Sequence, residues 1–232
     1  MARASSGKQC VVQMEVKEVF KGIYKVEGRL ATVNLTPGLK VYGERVVEFE
    51  GKEYRSWDPY RSKLSAAILN GLKEVPLAPG MNVLYLGAAS GTTASHVSDI
   101  VGPKGKVFCV EFAPRSMRDL INVCERRKNM LPILWDARKP EDYEKDVGKV
   151  DCIYQDVAQP DQDKILLRNA KMLKAKGGAL FAIKSQSIDV TAKPKQTYEA
   201  VLASLEPDFS ILERFDLNPF DKDHLFVSLR KK

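Results

Sequence analysis

Polar side chains follow two neighbouring predicted strands at the points where the strands end. Asp156 comes directly after the apolar run 150–155, and Lys184 comes directly after the run 179–183. Because the carboxyl ends of parallel strands meet at one edge of a sheet, we expect both side chains to face one crevice. The apolar residues before Lys184 would partly desolvate its amine, which makes it a candidate base. Alternatively, Lys184 extends to solvent and pairs with Asp156 structurally.

A glycine-rich loop lies upstream of this pair. The apolar run 82–86 leads into Gly87-Ala88-Ala89-Ser90-Gly91, and a predicted helix follows at once. Small residues let a ligand approach the backbone closely, although a plain tight turn has the same composition. The third glycine of the dinucleotide fingerprint is missing, and a dinucleotide needs its pyrophosphate held at the helix start. S-adenosylmethionine has no phosphate, so this loop suits it better.

Two acidic residues follow the next two predicted strands. Glu111 lies 111 − 91 = 20 residues after the last loop glycine, which is the usual offset of about 20 for a carboxylate that binds ribose hydroxyls. Asp136-Ala137 follows the third run and is a candidate acceptor for the adenine amino group. An aspartate that caps a helix or forms a turn is an equally good interpretation of Asp136.

These residues require a parallel sheet to position them. Seven apolar runs predict strands at 82–86, 106–112, 132–135, 150–155, 179–183, 211–217 and 225–229. Helical spacing of apolar residues lies between them at 94–101, 116–127, 162–173 and 196–205. The last two runs are joined only by Asn218-Pro219-Phe220-Asp221, so they should form an antiparallel hairpin. The prediction is an α/β class I, Rossmann-like methyltransferase fold with a seven-stranded, mostly parallel sheet that ends in this hairpin.

The N-terminal quarter of the chain has a different texture. Short β-type runs at 10–16, 19–26 and 28–35 predict a small antiparallel β unit, and Thr36-Pro37-Gly38 suits a type II turn. The pattern changes after Trp57. We therefore predict a small β-rich domain at residues 1–56 and a methyltransferase domain at residues 57–232.

Composition narrows the class of protein. The 232 residues are 44% hydrophobic and carry a net charge of +7, which would attract phosphate-rich partners but is also compatible with mere solubility. No apolar stretch approaches the ~20 residues of a membrane span, so no membrane partner is expected. No secretory segment is evident at residues 1–8, so we expect the cytoplasm. Only two histidines are present and no CxxC spacing joins Cys10, Cys109, Cys124 and Cys152, so no metal site is expected.

Several motifs then recur in the order found in one known family. They are Trp57-Asp58-Pro59, Ser62-Lys63-Leu64, Tyr85-Leu86-Gly87-Ala88-Ala89-Ser90-Gly91-Thr92-Thr93, His96-Val97-Ser98-Asp99, Gln155-Asp156-Val157-Ala158-Gln159 and Asp223-His224. With these motifs the whole chain resembles fibrillarin. The Gly/Arg-rich extension of eukaryotic fibrillarins is missing, so the chain looks similar to the archaeal form.

The resemblance implies an RNA 2′-O-methyltransferase that acts in a box C/D ribonucleoprotein and uses S-adenosylmethionine. A guide RNA would select the target nucleotide in ribosomal or transfer RNA by base pairing. The implied protein partners are a Nop-family scaffold protein and a kink-turn-binding protein related to ribosomal protein L7. An archaeal cell would hold this assembly in its cytoplasm.

The resemblance also implies site residues. The family's reacting constellation corresponds to Lys63, Asp156, Lys184 and His224. We expect Lys184 to act as the base or to polarise the hydroxyl, with Asp156 orienting it, while Lys63 and His224 position the ribose and a neighbouring phosphate. The implied donor site consists of Gly87, Ala88, Gly91, Thr92, Thr93, Glu111, Phe112, Asp136, Ala137, Asp156 and Gln159.

Two other functions remain as alternatives from the residues alone. A nicotinamide-dependent oxidoreductase would use the same kind of loop, but the missing third glycine and the terminal hairpin argue against it. A non-catalytic RNA-binding or scaffold subunit would not need the reacting residues, and all four are present.

Overall fold

A small antiparallel sheet forms the first part of the computed structural model, which describes residues 14–232. Its strand order is β1-β2-β3-β5-β4. Residues 10–13 of the predicted run 10–16 lie outside the described residues. The strands are β1 (Val16–Phe20), β2 (Ile23–Val26), β3 (Arg29–Val33), β4 (Val46–Phe49) and β5 (Lys52–Ser56).

The turns of this sheet correct two sequence predictions. The single strand at 19–26 is wrong, because Gly22 adopts φ +76° and divides the run into β1 and β2. Strands β4 and β5 were not predicted, and they are joined by Glu50 and Gly51, both with positive φ. The turn at Thr36 is confirmed, since the Leu39 N–H donates to the Thr36 carbonyl at 3.1 Å and Gly38 has φ +82°.

A seven-stranded sheet forms the rest of the molecule. Its order is β11-β12-β10-β9-β6-β7-β8, and β12 runs antiparallel to both of its neighbours. The pairs among β6 to β10 are parallel, so the predicted sheet with a terminal hairpin is confirmed. The strands are β6 (Asn82–Leu86), β7 (Lys106–Val110), β8 (Met130–Ile133), β9 (Val150–Gln155), β10 (Leu173–Lys184), β11 (Phe209–Asp216) and β12 (His224–Lys231).

Helices cover both faces of this sheet. Alternation along β6 sends Val83 and Tyr85 into one core and Leu84 and Leu86 into the other. The first core includes residues of α1, α2 and α3, and the second includes residues of α5 and α7. The helices are α1 (Lys63–Leu69), α2 (Thr92–Val101), α3 (Pro114–Arg126), α4 (Glu144–Val147), α5 (Gln162–Asn169), α6 (Ser185–Ile188) and α7 (Pro194–Leu205), with a 3₁₀ turn at Pro140–Asp142.

Several predicted elements have different bounds; the strand predicted at 179–183, for example, is β10 and already begins at Leu173. The strand predicted at 132–135 is β8, which begins at Met130 and includes Pro132; a proline is tolerated there because β8 is an edge strand. The helix predicted at 162–173 ends at Asn169, and Leu173 already begins β10. Met172 in the turn and Leu173 at the start of β10 are both buried, so these two apolar residues imitate a continued helical pattern.

Buried charges join the first sheet to the helices of the second. The fully buried Asp99 carboxylate on α2 accepts from Arg55 at 2.7 Å and from Arg127 at 2.5 Å. Arg55 also donates through Nε to Glu44 at 2.6 Å. This network crosses the boundary predicted near residue 56. The division into 1–56 and 57–232 therefore stays a prediction, and the two parts share a charged interior.

His96 extends this buried network as a neutral ring. Burial, followed by the charges of Arg55 and Arg127, holds the pKa of His96 well below its usual value. Thr32 donates its hydroxyl proton to Asp99, so its oxygen accepts from His96 Nδ1 at 2.8 Å. In the resulting neutral tautomer, His96 Nε2 accepts from the Tyr42 hydroxyl at 2.7 Å.

The Arg55→Met variant tests how much the fold depends on this network. We expect it to lower the free energy of unfolding by about 3–5 kcal/mol, because Glu44 and Asp99 lose a buried partner. Arg45→Met is the matched control, since Arg45 pairs with Glu27 on the surface and should cost less than about 1 kcal/mol. Urea unfolding of both variants at one pH gives the comparison. Equal losses would contradict the assignment.

Candidate active site

The glycine-rich loop approaches strand β9 more closely than any side chain would allow. Gly87 adopts φ +80°, and a Cβ atom at this position would lie 2.7 Å from the Asp156 carbonyl oxygen. Gly91 also has positive φ, but its Cβ would meet Leu120 of α3 at 3.1 Å. Gly87 thus keeps the loop close to Asp156, whereas Gly91 permits helix packing and does not face the cavity described below.

Glu111 ties this loop to the end of β7. One of its carboxylate oxygens accepts the Ala89 N–H at 2.9 Å, and the other accepts the Ala113 N–H at 2.9 Å. The residue is almost fully buried. Each carboxylate oxygen keeps a further lone pair, so Glu111 can support the loop and still accept hydrogen bonds from a ligand.

A cavity of about 260 Å³ opens at the carboxyl ends of the strands. Phe112 and Trp135 line it and are half exposed, so they present apolar ring surface beside Asp136. Most of the predicted donor-site residues lie here. The predicted residues that line it are Gly87, Glu111, Phe112, Asp136, Ala137, Asp156, Gln159 and Lys184.

A second cavity of about 300 Å³ adjoins the first and shares Gly87 and Asp156 with it. Ala88, Thr92 and Thr93 line this second cavity. The predicted donor residues are therefore divided between two spaces that meet at Asp156.

Asp136 has a local partner as well as a place in the cavity. Its carboxylate accepts from the Arg138 guanidinium at 2.6 Å and from the Arg138 N–H at 2.9 Å. The hydrogen bond from the Arg138 side chain is the main cause that lowers the pKa of Asp136. The turn interpretation of Asp136 is therefore correct for its local contacts, and its role toward adenine stays a prediction.

The four residues of the predicted reacting constellation lie in one chain of ionisable side chains. Lys184 Nζ lies 2.8 Å from Asp156 Oδ1, and Lys63 Nζ lies 3.2 Å from the same oxygen. Lys63 Nζ is also 3.4 Å from Asp221 Oδ2, and His224 Nδ1 is 3.0 Å from Asp221 Oδ1. His224 reaches the other three through Asp221, a residue that the sequence analysis did not identify.

Lys63 is held as an ammonium group. Burial alone would lower its pKa, but the charges of Asp156 and Asp221 outweigh burial and raise it above the usual value. An amine that stays protonated cannot accept a proton. Lys63 is therefore suited to positioning anionic or hydroxyl groups and not to acting as the base.

Gln162 fixes the end of the strand that carries Lys184. The Lys184 N–H donates to Gln162 Oε1 at 3.0 Å, and Gln162 Nε2 donates to the Lys184 carbonyl at 3.1 Å. Gln162 is fully buried. Lys184 Nζ also donates to the Asp156 carbonyl at 3.1 Å. The predicted meeting of Lys184 and Asp156 in the donor crevice is confirmed, and the pairing itself restrains the amine.

Three residues of the site escaped the sequence analysis. Asp221 lies three residues before His224 within the predicted hairpin turn, and that spacing is the signal that could have identified it. Trp135 was assigned to a strand, although it directly precedes Asp136. Gln162 has no local signal, because only the tertiary fold brings it to Lys184.

The fold and the crevice together define a class I methyltransferase: a parallel sheet closed by an antiparallel hairpin, with a glycine-rich loop, Glu111 and Asp156 at its carboxyl edge. The fibrillarin family model matches residues 13–232, and the chain belongs to the fibrillarin family. The nicotinamide oxidoreductase alternative is therefore wrong. Over the described part of the chain, no helix has the length and apolar character needed to cross a bilayer.

Individual relatives agree with this family. A fibrillarin-like rRNA/tRNA 2′-O-methyltransferase of Pyrococcus abyssi is 53% identical over 221 residues, which cover 93% of this chain and 97% of the relative. The solved Aeropyrum pernix fibrillarin, with natively bound S-adenosyl-L-methionine, has a TM-score of 0.87 and 49% identity over 94% of this chain and 99% of that one. A solved fibrillarin/Nop5p complex has a TM-score of 0.84 and 41% identity over 93% of this chain and 100% of that one.

The Asp221→Asn variant tests whether Asp221 is a charge partner of Lys63. Burial lowers the pKa of Lys63, and the negative charges of Asp156 and Asp221 raise it. Removing the charge of Asp221 should therefore lower the pKa of Lys63. Titration of the lysine side chains by NMR measures the change. Asp223→Asn is the matched control, since Asp223 lies two residues away and forms no ion pair within residues 14–232. An equal response of Lys63 in both variants would rule out Asp221 as its partner.

Proposed function

We propose that this chain transfers the methyl group of S-adenosylmethionine to ribose 2′-hydroxyl groups of ribosomal and transfer RNA. It does so as the catalytic subunit of an RNA-guided box C/D ribonucleoprotein. The observation that carries the proposal is the Lys63–Asp156–Lys184 cluster at the junction of the two cavities. The named activity of the Pyrococcus abyssi relative supports it.

The residues around the cavities fit the proposed methyl donor. The Gly87 backbone lines both cavities, and the buried Asp156 Oδ1 has close lysine amines but no well-directed hydrogen bond. Glu111 would accept the ribose hydroxyls, and Asp136 with Ala137 would bind adenine. The remaining donor contacts fall to Ala88, Thr92, Thr93, Phe112, Gln159 and the rim residue Trp135, while Gly91 supports the loop by packing.

The donor supplies an electrophilic methyl group on a sulfonium centre. This chain's residues orient the target hydroxyl and manage its proton. Lys184 takes the proton or polarises the hydroxyl, and Asp156 holds the Lys184 amine in place. Lys63 contributes a permanent positive charge that positions the ribose or its phosphate, and Asp221 extends this positioning to His224.

Specificity in this proposal comes from partners. A guide RNA pairs with the target strand, so the chain itself needs only local contacts to the RNA backbone. A Nop-family scaffold protein holds it in the assembly, which the solved fibrillarin/Nop5p complex supports. A kink-turn-binding protein related to ribosomal protein L7 completes the set. The RNA substrates make the cytoplasm the proposed location.

The Gly87→Ala variant tests the donor site. A methyl side chain there meets the Asp156 carbonyl in a strained backbone conformation, so affinity for S-adenosylmethionine should fall by about tenfold or more. Gly80→Ala is the matched control, because Gly80 has φ +85° but open space around its Cβ position. Calorimetric titration of both folded variants measures the affinities. If both variants lose affinity equally, the close approach at Gly87 is not what shapes the site.

The Lys184→Met variant tests the reacting centre. In the full assembly with guide RNA, target RNA, partner proteins and labelled donor, we expect kcat to fall about 10²–10⁴-fold while donor binding persists. Lys184→Arg separates the two roles of Lys184, since a guanidinium can polarise a hydroxyl but does not accept its proton.

Two results would contradict this mechanism. One is undiminished transfer in Lys184→Met, and the other is methylation that proceeds equally without guide RNA. Lys174→Met is the control, because Lys174 forms an exposed pair with Asp151 and should leave kcat unchanged.

A further inference from the structure

An exposed aromatic pair lies at the edge of the reacting centre. The Tyr60 side chain is 69% exposed, and its ring meets that of Phe220 edge to face at a centroid distance of 5.2 Å. Phe220 is anchored against the core of the methyltransferase sheet. The Tyr60 N–H donates to Asp58 Oδ1 at 2.9 Å, so the backbone that presents the ring is held in a turn. Phe220 therefore supports the ring on one side, and Asp58 holds the backbone that carries it.

The sequence positions of this pair place it beside the proposed methylation site. Tyr60 precedes Lys63 by three residues, and Phe220 directly precedes Asp221. Lys63 and Asp221 are themselves 3.4 Å apart. Tyr60 also lines the cavity that contains Asp156. A ribose that reaches Asp156 and Lys184 would thus bring its neighbouring nucleotides to this aromatic surface.

Arg61 adds a cation next to the aromatic pair. Its guanidinium lies over the Tyr42 ring at 5.1 Å, and the Tyr42 hydroxyl is held by His96 Nε2 at 2.7 Å. Arg61 makes no ion pair with any carboxylate among residues 14–232. A placed guanidinium without an acidic partner is well suited to bind phosphate.

A groove continues from Arg61 away from the reacting centre. Arg61 lines both the cavity that contains Asp156 and a groove of about 520 Å³. Lys40 and Arg126 are exposed along this groove, with Asp119 as the acidic residue. Positive charges therefore predominate along a path that begins at the reacting centre. Such a path would attract the negatively charged phosphates of an RNA backbone.

The chemistry of the substrate explains why these groups lie where they do. In A-form RNA the 2′-hydroxyl groups are displayed along the wide, shallow minor groove. An enzyme that methylates such a hydroxyl must bind with its active-site crevice facing that groove. The rim of the crevice then meets the sugars and phosphates of the adjoining nucleotides.

We propose that Tyr60 and Phe220 form a platform for the target-strand nucleotide next to the methylated one, and that Arg61 binds a phosphate of the same strand. Lys40 and Arg126 continue this phosphate contact along the groove. The inference rests on the proposed function and deepens it by assigning substrate-positioning residues. Contacts of this kind are independent of sequence, in keeping with specificity supplied by base pairing.

The first test compares Tyr60→Ser with Tyr60→Phe in the full guided assembly. Loss of the ring removes its apolar contact with the neighbouring ribose and should raise KM for target RNA about tenfold, while kcat and the affinity for S-adenosylmethionine stay within about twofold. Tyr60→Phe keeps the ring and should behave as the wild type. An unchanged KM in Tyr60→Ser, or an equal rise in Tyr60→Phe, would overturn the platform.

The second test examines Arg61 through the substrate. Target RNAs carry one neutral methylphosphonate linkage at successive positions around the methylated nucleotide. Arg61→Gln should raise KM severalfold on unmodified RNA, and this penalty should vanish when one particular linkage near the methylated nucleotide is neutral. If the penalty persists at every modified linkage, Arg61 does not bind a target-strand phosphate.

The third test detects the contact between position 60 and the target RNA by crosslinking, which does not require methyl transfer. A photoreactive benzoylphenylalanine replaces Tyr60, and the same residue replaces the exposed Val190 as a control. We expect position 60 to crosslink to the target strand within two nucleotides of the methylated one. A crosslink to a partner protein, or to distant RNA, would overturn the inference. Failure of the wild-type assembly to methylate would instead count against the proposed function.

Discussion

The buried Asp99 carboxylate between Arg55 and Arg127 is the interaction on which the rest of the structure depends. Asp99 lies on α2, the helix that starts directly after the glycine-rich loop, so its ion pairs tie that loop to the first sheet. His96, one turn earlier on the same helix, stacks against Trp57 at 4.9 Å. Trp57 begins the segment that brings Tyr60, Arg61 and Lys63 to the crevice. The small sheet therefore positions both the glycine-rich loop and one side of the crevice, through charges that are costly to leave unpaired.

The candidate reacting centre also contains partly buried ionisable side chains that pair with one another. Two carboxylates, Asp156 and Asp221, alternate with Lys184, Lys63 and His224, so each ionisable group has an opposite or polar neighbour. The two lysines share Asp156 but are held differently. Lys63 is bound between both carboxylates and keeps its proton, while Lys184 is fixed through backbone hydrogen bonds to Gln162. Lys63 thus has two carboxylate neighbours, whereas Lys184 has one.

Sequence reasoning located most of the sheet and much of the site, and its errors have physical causes. The apolar runs of β6 and β9 are unambiguous because both faces of these strands are buried. The first sheet is partly exposed and its turns are short, so its strands have weaker patterns. The turn at Gly22 divides a run that looked continuous, and the strands on either side of the Glu50–Gly51 turn were not recognised. Met172 lies in a turn and Leu173 begins β10, and both are buried; the apolar pattern of such a short segment does not distinguish it from the end of a helix.

The sequence by itself determined the order of the helices and strands and the polar residues that follow the strands. Both can be predicted because the spacing of apolar residues and the position of a polar residue after a strand are local properties of the chain. From these came the parallel sheet with its hairpin, the donor loop, and the pairing of Asp156 with Lys184. Only the tertiary structure decided how the remaining groups connect. Asp221 joins Lys63 to His224, Gln162 holds Lys184, and Arg55 reaches Asp99 across 44 residues. Such partners are set by distance in space, and no local pattern encodes the distance between residues that are far apart in the chain.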